Sequence, residues 1–126
     1  MKKRKMKVVA VVLTMVLSLG VCFNSVADSS KEKVVGGNNV HSATILSKAA
    51  ASGVTELKSG TGEVSACCLL VLKDGTTIKK PVSSTKLAVS TPKSVNGVLT
   101  DNAITNHHVK CGDEAQGWFT YSVATW

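Results

Sequence analysis

The stretch EVSACCLLVLKDGTTIKKPV, residues 63–82, constrains the fold more than any other part of the chain. Two runs rich in Val, Leu, Thr and Ile flank Asp74-Gly75, a dipeptide that supplies the positive φ angles of a two-residue hairpin turn. The spacing predicts that residues 63–73 and 76–82 pair antiparallel, with Pro81 ending the second run or placing it on an edge, since proline has no N–H to give to a ladder. The rest of the sequence from His41 repeats the theme. HSATILSK, GVTELKSG, KLAVST, SVNGVLT, NAITNHHVKC and GWFTYSVATW are short runs separated by turn signals such as Thr91-Pro92, Asp101-Asn102 and Cys111-Gly112-Asp113. None carries a sustained helical stripe; only TILSKAAASGV has the alanines for a short helix, which Gly53 would stop. The expectation is an all-β fold, a small antiparallel β-sandwich of about six or seven strands.

The first residues have a different texture. MKKRKMK is followed by sixteen mostly apolar residues from Val8 to Phe23, and then by NSVADSS, where Ser25 and Ala27 stand three and one positions before a signal-peptidase cut. Residues 1–27 are expected to be an export signal cleaved after Ala27, giving a secreted, extracellular protein. The apolar run is short of the roughly twenty residues of a membrane span, so no stable membrane anchor is expected. Val21 before Cys22 fits poorly with the small residue that lipid attachment requires.

The fifteen Lys and Arg of the whole chain face eight Asp and Glu, a net charge of +7, but Lys2, Lys3, Arg4, Lys5 and Lys7 leave with the signal. Ten then face eight, and the basic patch that nucleic-acid binding needs is missing. The 99 residues from Asp28 to Trp126 suffice for one domain with a lean core. Residues 28–40, polar and broken by Gly36-Gly37-Asn38-Asn39, read as a flexible N-terminal arm, and residues 41–126 as the single domain.

Strand periodicity sorts the cysteines. Val64, Ala66, Cys68, Leu70 and Leu72 form one wholly apolar face, while Cys67 lies on the mixed face with Glu63, Ser65, Leu69, Val71 and Lys73. On the later run, Ala103, Thr105, His107, Val109 and Cys111 share the more apolar side. With Cys22 expected to leave with the signal, three of the four cysteines remain, and in an exported chain they imply one bridge and one leftover thiol, or a bond between chains. Cys68 with Cys111 is the favoured disulfide and Cys67 the leftover thiol, through which a dimer could form; Cys67 with Cys111 stands close behind. The vicinal pair is disfavoured because adjacent strand side chains diverge.

His107, His108, Cys111, Asp113 and Glu114 make the densest polar cluster, but the spacing lacks the repeated ligand pairs of a zinc finger, and His107 and His108 would face opposite ways. No metal site, cofactor or catalytic residue is expected: the chain has no glycine-rich phosphate loop, no G-x-S-x-G and no H-E-x-x-H. All four aromatic residues beyond the signal, Trp118, Phe119, Tyr121 and Trp126, fall in the last ten positions. Trp118, Tyr121 and Trp126 are the binding candidates, for an envelope glycan, a membrane or a protein partner, unless this closing strand instead supplies bulk to the core.

The export signal, HSATI, NAITNHHV and GWFTYSVATW together resemble a loose group of small exported β-rich proteins of Gram-positive bacteria, and HSATI with an aromatic C-terminus also resembles lactococcin 972-like bacteriocins, small β-sandwiches that act on cell-wall precursor. Many of the first group have no assigned function, and the reading favoured from the residues themselves is a secreted, disulfide-stapled, non-enzymatic module that binds an extracellular or cell-envelope ligand. The second implies an antimicrobial acting on the envelope of competing bacteria.

Overall fold

The computed structural model describes residues 29–126; the expected export signal, residues 1–27, and with it Cys22, lies outside the described residues. The described chain forms eight strands: β1 (Ser29–Val35), β2 (Asn38–Leu46), β3 (Ala51–Leu57), β4 (Glu63–Leu72), β5 (Thr77–Ser84), β6 (Leu87–Ser90), β7 (Thr100–Cys111) and β8 (Glu114–Val123). They build two four-stranded antiparallel sheets, in the orders β1-β2-β3-β6 and β5-β4-β7-β8. The fold is all-β, a small β-sandwich with one strand more than the upper expected number.

The added strand is β1. Residues 29–40, expected to form a flexible arm, instead make β1 and the start of β2, because Gly36 and Gly37 (φ 56° and 77°) are the two positive-φ residues of a tight hairpin turn. Gly36 also passes so close to Cys111 that a Cβ there would lie 2.9 Å from the Cys111 Cβ. Conversely, the Asp74-Gly75 hairpin exists with different chemistry. Only Gly75 has positive φ, the loop is three residues long, and Asp74 accepts a hydrogen bond from Thr76 N at 2.9 Å. The alanine-rich segment 47–50 is a hairpin turn in which the Ser47 hydroxyl bonds Ala50, and SVNGVLT is a loop around Asn96-Gly97 whose last residue opens β7. Pro81 lies, as expected, on an edge strand.

Strict alternation places the core. Along β4, Val64, Ala66, Cys68, Leu70 and Leu72 are buried, and along β7 Ala103, Thr105, His107, Val109 and Cys111. Two apolar clusters result, one around Val35, Leu57, Val109 and Trp118 and one around Leu46, Cys68, Leu70 and Ala103. Between them the sheets approach closely at Gly53, where a Cβ would stand 2.3 Å from the Thr105 hydroxyl.

The register overturns the expected disulfide. Cys68 pairs with Thr105 and Cys67 with Asn106, six and five residues along β7 from Cys111. At about 3.3 Å per residue these separations are roughly 20 and 17 Å, whereas a bridge needs Cα atoms within about 7 Å. The three cysteines among the described residues, Cys67, Cys68 and Cys111, are free thiols. Placing Cys68 and Cys111 on inward faces was sound, but a shared face says nothing of position along the strand.

Candidate binding face

The outward face of the β5-β4-β7-β8 sheet is laid out by its register. Leu69 of β4 stands beside Ile104 of β7, which stands beside Tyr121 of β8; the next row is Cys67, Asn106 and Phe119; on the other side lies Val71, Asn102 and Val123. Lys79 and Pro81 of β5 extend the first two rows. Ile104, Phe119, Tyr121 and Val123 are 37, 53, 60 and 49% exposed, which leaves apolar and aromatic surface contiguous across three strands. Contiguous patches of this kind on soluble proteins mark interaction sites. Within the patch Cys67, Leu69, Lys79, Ile104, Asn106 and Phe119 line a shallow hollow of about 190 Å³. Along the edge, Tyr121 N donates to Ser29 Oγ at 3.0 Å, so β1 braces β8 where the aromatic row ends.

Of the three expected binding aromatics, only Tyr121 is on this face. Trp118 is a correction: it points inward, 7% exposed, with its indole N–H donating to Ser42 Oγ at 2.7 Å and its ring stacked on His107 at 5.9 Å. Trp126 is half-buried against the cluster around Leu70, and its indole N–H donates to Thr100 O at 3.0 Å. Phe119, Ile104 and Val123 complete the patch instead. Alternation from Tyr121 identifies Phe119 and Val123; Ile104 needs the cross-strand register.

The polar residues separate. His107 points into the core, where Thr55 Oγ1 lies 2.7 Å from Nδ1 and Thr120 Oγ1 lies 2.6 Å from Nε2. Thr55 spends its one hydroxyl proton on Ser65 O, so Nδ1 donates to Thr55 Oγ1, while Thr120 Oγ1 sits between Nε2 and Thr44 Oγ1, 2.6 and 2.7 Å away. Burial, with smaller contributions from His41 and Lys31, brings the His107 pKa down to about 4, so the ring is neutral at physiological pH. His108 faces out, beside Ser65, in a second open hollow with Glu63 and Ser83. Among the described residues no three His, Cys, Asp or Glu side chains converge as metal ligands.

The cysteines differ in the same way. Burial pushes the Cys68 thiol up to about 12 despite the Thr105 hydroxyl beside it, so it stays protonated and unreactive. Cys67 is the outward, half-buried thiol of the hollow.

No known protein family, curated protein or solved structure matches this chain.

Proposed function

We propose that the chain is a small secreted, non-enzymatic module that binds an extracellular or cell-envelope ligand through the outward face of the β5-β4-β7-β8 sheet. The observation carrying this reading is the exposed Tyr121–Phe119 column of β8, lying beside Ile104 and Asn106 on a rigid sheet. Aromatic rings and aliphatic side chains offer flat apolar contact, and the Asn102 and Asn106 amides and Lys79 ammonium offer hydrogen bonds at its margin. Sugars and peptides of a cell envelope combine those two surface chemistries. The inward fate of His107 and the raised pKa of Cys68 remove two of the groups that a nucleophilic or metal chemistry would draw on.

The test is sedimentation with purified envelope fragments of Gram-positive cells. The protein is expected to pellet with them, and Tyr121→Ala and Phe119→Ala to weaken retention at least tenfold while leaving the thermal midpoint within a few degrees. Retention no greater than that of an unrelated β-sandwich of similar charge would refute the reading. Growth inhibition of related bacteria by the same preparation would favour the antimicrobial form of envelope binding.

A further inference from the structure

The charges beyond the expected signal nearly balance, but they are unevenly placed. Residues 75–100 carry Lys79, Lys80, Lys86 and Lys93 and no Asp or Glu. Three of these lysines meet at one side of the sandwich, where Ile78, Lys79, Lys80, Thr91, Pro92 and Lys93 line an open hollow of about 340 Å³. Lys79 stands outward on β5 beside Leu69, and Lys80 follows on the inner side beside Cys68; both are exposed because β5 is an edge strand. Hydrogen bonds fix the backbone of the opposite wall. The Ser90 hydroxyl donates to Lys80 O and accepts from Cys68 N at 3.1 Å, tying the end of β6 to β5 and β4. Pro92 O accepts from Ala51 N at 3.0 Å and Ser94 N donates to Ala49 O at 2.8 Å, so Lys93 is held between two anchors. No carboxylate lines the hollow, and among the described residues none of its three ammonium groups makes an ion pair, whereas Lys58 pairs with Glu56 and Lys73 with Asp101. Three like charges around one hollow create a positive potential that a bound anion lowers.

We propose that this hollow is an anion subsite and that the ligand it takes is a polymer of polyols or sugars joined by phosphodiesters. The inference rests on the envelope-binding reading above and names the chemistry of that ligand. Continuity with the aromatic face selects a polymer. Lys79 lines both this hollow and the apolar one formed with Leu69, Ile104 and Phe119, so a single chain can lay its polyol or sugar against the aromatic column and carry a phosphate over the β5 edge. The donors select phosphate over carboxylate. Lysine meets phosphate as a point charge, and three ammonium groups around one hollow suit an anion with several oxygens. A planar carboxylate is matched by the fork of arginine, and the described residues contain no arginine.

The experiment measures equilibrium binding of the full chain to soluble polyglycerol phosphate, with hyaluronate, inorganic phosphate and a thymidine oligonucleotide as comparison probes. Polyglycerol phosphate is expected to bind, at least about fivefold more weakly at about 200 mM salt than at about 20 mM, since exposed charges are screened. The triple substitution Lys79→Gln, Lys80→Gln, Lys93→Gln is expected to weaken binding at least about tenfold, and Lys31→Gln, Lys58→Gln, Lys110→Gln, which removes the same charge elsewhere, less than about twofold. Equal losses in the two triple variants overturn the proposal, because net charge and not the hollow would then attract the polymer. So does hyaluronate or the oligonucleotide binding as tightly as polyglycerol phosphate, or inorganic phosphate displacing the polymer at equal phosphate concentration. Envelope fragments separate this inference from the reading it rests on. If the Lys79, Lys80, Lys93 variant pellets with them as fully as the wild type while Tyr121→Ala does not, the aromatic face stands and the anion subsite falls; no retention of the wild type overturns both.

Discussion

His107 shows what a single buried residue imposes. Its ring is fully buried between Thr55 and Thr120 and stacked on Trp118, so it is held neutral with a pKa near 4, against about 6.5 in an unfolded chain. Between those values the unfolded state binds the extra proton and the folded state does not. The stabilisation is therefore complete above pH 6.5, declines as pH falls from 6.5 towards 4, and does not change further below 4. A shift of this size corresponds to up to about 3 kcal/mol. Urea unfolding at pH 7, 5.5 and 4 is expected to record that loss, and His107→Gln to flatten the profile over this interval while lowering stability at pH 7. A wild-type profile that is flat from 6.5 to 4 would contradict the neutral, buried ring. Cys67 and Cys68 make a second residue-scale contrast, set by strand alternation alone. Iodoacetamide is expected to modify Cys67 in the native protein and Cys68 only on unfolding, as read by peptide mass mapping; the outward thiol is half-accessible, whereas the inward one is buried and protonated.

At the scale of the elements, close approach of backbones decides tolerance. Gly53 of β3 faces Thr105 of β7 so tightly that Gly53→Ala must push the sheets apart, an overpacking cost of about 1–3 kcal/mol. Thr105→Gly in the same chain should recover part of the lost thermal midpoint; additive losses would show that the two positions do not meet. This contact also marks the limit of what the sequence discloses. Alternation in residues 63–72 and 100–111 reveals which side chains point inward, and Asp74-Gly75 reveals a hairpin, because both are local properties of the chain. The polar stretch 28–40 hides a strand, because β1 takes its order from seven residue pairings with β2, and a two-glycine turn can look like a linker when its partner strand is unknown. Trp118 and Tyr121 differ in face by their odd spacing, but which of the two is outward follows only once β8 is docked beside β7.

Across the whole molecule, the decisive consequence of register is that the sandwich stands without a covalent staple. Cys68 and Cys111 belong to different apolar clusters, and the interior between these is crossed by hydrogen-bonded hydroxyls, with Thr44 Oγ1 lying 2.6 Å from Thr105 Oγ1 and 2.7 Å from Thr120 Oγ1. A bridge closing a loop of about forty residues would be worth roughly 3 to 4 kcal/mol, by raising the entropy cost of folding for the unbridged chain relative to the bridged one. For a domain of this size, 1 kcal/mol moves the melting temperature by about 4–8 °C, so losing such a staple would lower it by well over 10 °C. The register removes that term, and stability rests on packing and on the buried hydroxyl network. Melting in the presence and absence of a strong thiol reductant is therefore expected to give midpoints within 1–2 °C of each other, with three alkylatable thiols in the unfolded chain from Asp28 onward before any reduction. A drop of 10 °C or more on reduction would mean that the cysteines are paired and that the registers of β4, β7 and β8 differ from those described.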